Sequence, residues 1–159
     1  MSKRERVQNW MLEAGWRIND AQAQGINTAW VVGGTHPSGI GIGVAQPKPY
    51  PDLLAIEAGI TLDEKARKAF EAMDTKGSGA LLVELRLRLL QLGVEFNGIG
   101  APLQMLRVSQ FIYDDGLTKD AFLHRVQQVK DAAYFILMFL SYRLDQPPQE
   151  NWQDNINVN

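Results

Sequence analysis

The chain has 159 residues, 45% of them hydrophobic, enough to bury one sizeable core and too little for two ordinary domains. Its 16 basic and 18 acidic side chains leave a formal charge of -2, so the cationic excess that phosphate backbones attract is missing and nucleic acid is not an expected partner. With no cysteine, disulfides, thiolate nucleophiles and Cys-ligated zinc are excluded together, which suits a cytoplasmic protein whose stability rests on its packed core.

The amino-terminal Met1-Ser2-Lys3-Arg4-Glu5-Arg6 is charged and followed by an amphipathic segment, unlike a secretory signal. Ser2 and Glu5 form a capping-box pattern, and Val7, Trp10, Met11 and Ala14 recur at helical spacing until Gly15, which predicts a helix over about 3–14. Trp16 and Ile18 alternate with polar residues as a short strand does, and residues 20–25 read as a polar turn. Ile26, Thr28, Trp30 and Val32 then share one face of a strand, the glycine-rich Gly33–Gly39 stretch reverses the chain, and Ile40, Ile42 and Val44 share a face on the way back. Gly41 and Gly43 fall on the opposite face, where another packed element or a ligand is expected to come close to the backbone.

Pro47, Pro49 and Pro51 remove backbone donors and predict an extended, exposed connection. Leu54, Ile56, Ala58 and Ile60 resume strand alternation. Thr61 with Glu64 repeats the capping-box signature ahead of a helical stripe of Leu62, Ala66, Ala69, Phe70 and Met73, ending near Asp74 before a flexible Lys76-Gly77-Ser78-Gly79. Residues 80–92 fit two templates: Val83, Leu85, Leu87 and Leu89 alternate as in a strand, but the Leu/Glu/Arg/Gln composition, the length and Gly93 as terminator predict a helix. Arg86 is then expected to snorkel or to find an acidic partner. Val94 and Phe96 open another strand, Asn97-Gly98 turns it, and Leu103–Tyr113 runs back with Leu106, Val108 and Ile112 on one face. Thr118 caps a long last helix with the stripe Phe122, Val126, Val129, Ala133, Ile136, Leu137, Leu140 and Leu144. Its longest apolar run, Ala132–Leu140, is far short of the roughly 20 residues a bilayer span needs. The expected architecture is one α+β domain over residues 1–145, a mixed or antiparallel sheet packed against helices. A Gln/Asn/Pro-rich tail over 146–159 is expected to be disordered or to dock on a partner.

Reactive groups do not converge in this sequence. The Gly33–Gly43 stretch lacks a Walker ending and leads into a strand, His36 and His124 have no neighbouring ligand, and Ser38, Ser78, Ser109 and Ser141 sit in no nucleophile elbow. Asp114 and Asp115 diverge on a turn. No catalytic residue, cofactor or metal site is expected. A competing reading, a small-molecule binder or enzyme, would place its site at the Gly33–Pro51 loops with His36 and Lys48; a third is a structural subunit of a larger assembly. The sharper feature is the last helix, where Tyr134, Phe135, Met138 and Phe139 lie off the core stripe and leave large apolar groups for a second layer or for a partner. With Trp30 they are the candidate partner-binding residues, and each could equally belong to the core.

The predicted order of helix, three or four strands, one or two helices, two strands and a long helix resembles the class I type III secretion chaperones. The segment Leu92-Gly93-Val94-Glu95-Phe96, followed by Tyr113-Asp114-Asp115-Gly116-Leu117-Thr118-Lys119-Asp120-Ala121-Phe122, looks like a prokaryotic family of uncharacterised function with a chaperone-like fold. The resemblance spans about residues 3–144. It implies a non-enzymatic, homodimeric chaperone-like or adaptor protein that holds an extended peptide or protein partner.

Overall fold

Local signals set where each element starts. Ser2 Oγ accepts from the Glu5 N–H at 3.1 Å and the Glu5 carboxylate accepts from the Ser2 N–H at 2.7 Å, closing the capping box. These bonds hold the Glu5 carboxyl below its ordinary pKa, with the backbone bond at Ser2 the larger cause. In the computed structural model, which describes residues 1–19, 26–144 and 156–157, this box opens α1, Lys3–Glu13. There follow β1 Arg17–Asn19, β2 Thr28–Thr35, β3 Gly41–Pro47, β4 Leu53–Thr61, α2 Glu64–Glu71, α3 Thr75–Leu92, β5 Glu95–Asn97, β6 Met105–Tyr113, α4 Lys119–Arg143 and β7 Ile156–Asn157. The strands form one antiparallel sheet in the order β1-β2-β3-β4-β6-β5, with β7 added to β4 and three-residue strands at both ends. The class is α+β, as the sequence predicts.

Alternation splits the sheet into two unlike faces. Val32, Val44 and Ile56 stand side by side across β2, β3 and β4, and Leu54, Ala58 and Ile60 meet Ile112, Val108 and Leu106 across β4 and β6. All of these are buried in one cluster with Val7 and Met11 of α1, Phe70 of α2, Leu85 and Leu89 of α3, and Phe122, Val129 and Ile136 of α4. Burying each of the larger side chains contributes about 1.5–3 kcal/mol, so this layer supplies most of the drive to fold. Trp10 of α1 meets Phe122 of α4 at 5.6 Å between ring centres, and Lys119 pairs with Glu13, joining the two helices above the sheet. One polar link crosses the same layer. Gln110 of β6 donates to the carbonyl of Gly93, the left-handed cap of α3, and accepts from Arg125 of α4 at 3.3 Å.

Several boundaries differ from the sequence reading, each for a local reason. β2 continues through Gly33 and Gly34 to Thr35, because the rungs Gly33↔Gly43 and Gly34↔Ile42 extend the ladder, so the reversal shrinks to the residues around His36–Gly39. Thr61 is the last paired residue of β4, opposite Met105, and Asp63 caps α2 by accepting from the Ala66 N–H at 2.7 Å. Lys76-Gly77-Ser78-Gly79 is the first part of α3, because Asp74 accepts from the Gly77 N–H at 2.6 Å and starts the helix early. Residues 80–92 are helical: Leu81, Leu82, Leu85 and Leu89 are buried while Val83 and Leu87 are exposed, a 3.6-residue pattern. Arg86 finds a backbone acceptor, the Ile99 carbonyl, in place of an acidic partner. Gly41 and Gly43 face away from all the core residues, so no core-forming helix is what they make room for. The expectation of a disordered tail falls mostly outside the described residues; within it, Ile156–Asn157 pairs with Gly59–Ile60.

Candidate functional site

α3 and α4 pack on the sheet side by side, and the outer surface between them is a groove of about 490 Å³. Helical spacing builds its walls: Glu84, Arg88 and Gln91 recur at i, i+4 and i+7 on α3, and Phe135, Phe139 and Tyr142 recur in the same way on α4. Phe135 and Phe139 lie 5.5 Å apart at a tilt of 35°, half-buried on the core beneath. The Arg143 guanidinium sits 5.5 Å over the Phe139 ring and pairs with Glu84 across the groove, so cation–π and ionic contacts tie the two helices at this end. Beside the groove each helix carries an exposed apolar stripe: Val83, Leu87 and Leu90 on α3, and Tyr134, Met138 and Tyr142 on α4, the last 81% exposed. Exposed apolar side chains grouped on one face mark recognition surfaces more often than singly scattered ones do.

Four of the five candidate residues from the sequence therefore gather here. Phe135 and Phe139 line the groove, and Tyr134 and Met138 stand on the neighbouring stripe. Trp30 does not join them: it lies on the helix side of β2, opposite Gln46, half-buried against the core. The α3 contribution of Val83, Leu87 and Leu90 was missed in the sequence, although their i, i+4, i+7 spacing was the available signal.

In the other candidate region, the Gly33–Pro51 loops, the His36 ring is engaged locally. His36 Nδ1 lies 2.8 Å from Ser38 Oγ and accepts from the Ser38 N–H at 3.1 Å, with the ring against Trp16 at 5.1 Å. Burial lowers the His36 pKa, Lys130 lowers it further and Asp131 opposes them. At Lys48 the backbone N–H donates to the Asn27 carbonyl at 2.7 Å, which bears on the loop and not on the side chain. Asp114 pairs with Lys3 at 2.5 Å, fastening its turn to α1. Among the described residues no group of three His, Cys, Asp or Glu side chains is placed to hold a metal ion.

A family described as uncharacterized conserved protein (DUF2299) matches residues 3–140. The chain belongs to this family. The DUF2299 match runs from the first turn of α1 nearly to the end of α4, so it includes all of α3 and the Tyr134–Phe139 part of the groove wall. A solved structure of an uncharacterized protein from Methanothermobacter thermautotrophicus is similar to the chain at 20% identity and a TM-score of 0.80, over 89% of this chain and 98% of that one. At that identity the likeness establishes the fold. No curated protein matches. The comparisons thus lead to DUF2299 and an archaeal relative in fold, and neither leads to a type III secretion chaperone. Among the described residues no helix is long and apolar enough to cross a membrane.

Proposed function

We propose that this DUF2299 chain is a non-enzymatic, chaperone-like or adaptor subunit that binds a protein partner through the outer face of α3 and α4, and that a second copy of the chain is the first such partner. The observation that carries this reading is the groove with its two exposed stripes, where Leu87 is 55% and Leu90 63% exposed beside the Phe135–Phe139 pair. Covering such side chains removes apolar area from water at about 25 cal/mol per Å². The charges that line it, Glu84, Arg88 and Arg143, are of both signs, so a copy of the same face can approach about a two-fold axis without a large like-charge repulsion. A partner presenting an amphipathic helix would fit the same groove by its i, i+3, i+4 and i+7 positions.

The test is the mass of the native protein in solution, with and without Leu87→Glu and Tyr142→Glu. Both side chains are exposed in the single chain, so the substitutions leave its fold intact. We expect twice the 17.8 kDa chain mass for the wild type and a single chain for the double variant. A wild type that stays single at high concentration, or a dimer indifferent to both changes, overturns the reading.

A further inference from the structure

The two edges of β6, a strand of nine residues, are used unequally. β4 pairs with it from end to end, Leu53↔Tyr113 through Thr61↔Met105, whereas β5 pairs only over 107–109. The bonds that flank the β4 ladder show which residues point which way. Leu62 N–H donates to the Gln104 carbonyl at 2.8 Å and Asp114 N–H to the Asp52 carbonyl at 2.9 Å, so the even-numbered residues of β6 turn their backbone groups to β4. The odd-numbered ones therefore turn theirs to the outer edge. Arg107 and Ser109 meet β5 there, and Phe111 and Tyr113 lie beyond it.

β5 stops short for a local reason. Gly93, which would stand opposite Phe111 if the ladder ran on, is the left-handed cap of α3 with φ 73°. Its N–H donates to the Leu90 carbonyl at 3.1 Å and its own carbonyl accepts from the Gln110 side chain, so neither group is left for β6. Among the described residues the Phe111 N–H and carbonyl and the Tyr113 N–H have no backbone partner on this side, which makes a short open edge. The side chains at that edge lie on the sheet face turned away from the helices, Phe111 41% and Tyr113 55% exposed. On the helix side stands Arg125, half-buried, bonded to Gln110 and in no ion pair among the described residues; its Nε, hidden from water, has no acceptor.

We propose that the outer edge of β6 at Phe111 and Tyr113 is a strand-addition site for an extended peptide of a partner protein, one that alternates apolar and acidic side chains. The peptide lies antiparallel to β6, in line with β5. One of its residues exchanges both backbone bonds with Phe111, and the carbonyl two residues earlier accepts from the Tyr113 N–H. Alternation then assigns its side chains. Those opposite Phe111 and Tyr113 point to the helix-free face, where the two rings offer apolar contact and the carboxylates of Glu57 and Glu95 on the same face disfavour an acid. The one between them, opposite Ile112, points to the helix side, where a carboxylate supplies the partner that Arg125 lacks. This edge is a different surface from the α3/α4 face and stands without that reading.

Hydrogen exchange in the full chain, followed amide by amide by NMR, reads this edge directly. In the free protein the Phe111 and Tyr113 amides should exchange at least about tenfold faster than those of Gln110 and Ile112, which are bonded to β4. The probe is the acetylated, amidated peptide Ser-Val-Glu-Val-Ser at millimolar concentration. It should slow the two outer amides and leave those facing β4 unchanged. Its counterpart Ser-Val-Lys-Val-Ser should bind about tenfold more weakly, and Arg125→Gln should remove that preference. Outer amides already slow in the dilute free protein, a probe that leaves them fast, or a Lys peptide that binds as well as the Glu peptide overturns the proposal. None of these three readings needs a variant, so they hold even if Arg125→Gln impairs folding.

Discussion

The helical side and the bare side of this sheet handle apolar surface in opposite ways. On the helical side the strands carry large branched side chains, the helices cover them, and the excess emerges one layer further out as Leu87, Leu90, Met138 and Tyr142, in contact with water. On the bare side β2 and β3 carry glycine and alanine, and the apolar surface at Val31 and Ala55 is already hidden, whereas Phe111 and Tyr113 of β6 stand open to water. Size of side chain thus separates a surface built to attract something else from one built to admit something close. An uncovered large residue supplies binding energy to a partner, whereas a missing Cβ supplies space and fixes what can occupy it.

The sharpest way to break this contrast is on the outer helices. Leu87→Glu with Tyr142→Glu should weaken self-association by at least about 100-fold, roughly 2.7 kcal/mol, measured as a dissociation constant by sedimentation. Its thermal midpoint at concentrations where the wild type is already a single chain should hardly move. On the bare side, Gly43→Leu puts a large side chain on a buried strand position and should cost about 1–3 kcal/mol in denaturant unfolding. Removing one side of the Arg143–Glu84 pair by Glu84→Gln should change stability by less than about 1 kcal/mol, since both groups are partly exposed, and by less still at high salt.

The smallest effect concerns Glu57. Its folded pKa lies above its unfolded one, so its contribution to stability is complete below the unfolded value of about 4.3 and is lost as pH rises through the folded value. Glu57→Gln should therefore match the wild type in stability near pH 4 and exceed it at pH 7. Unfolding curves at the two pH values read both outcomes.

Most of the architecture was legible because its signals are local. The Ser2/Glu5 box, the alternation of β3, β4 and β6, the Gly93 stop and the Thr118 cap each name their element without help from distant residues. What escaped depended on competition. Gly77-Ser78-Gly79 has poor helix propensity and reads as a linker, but Asp74 satisfies the amide at the helix start and the leucines beyond it need the helix. Thr61 reads as a cap, and only its pairing with Met105 and the Asp63 bond to the Ala66 N–H decide that it belongs to the strand. Half of the candidate site was visible as surplus aromatic residues on α4. The α3 half was hidden because Val83 and Leu87 also fit a strand whose face would be core, and a periodicity that serves two templates cannot say which residues meet water. Trp30 was a candidate that could equally be core, and a large ring in the sequence does not by itself distinguish a half-buried core residue from a binding one.

The two ends of the sheet are β1 and β5, three residues each. A neighbour arriving edge-on finds an edge strand of three residues, about 10 Å long, a short row of amides to hold in register against thermal motion. Growth from molecule to molecule in the plane of the sheet is thereby stunted at both margins. Crowded solutions of this protein should consequently resist fibre formation even though its helices remain sticky.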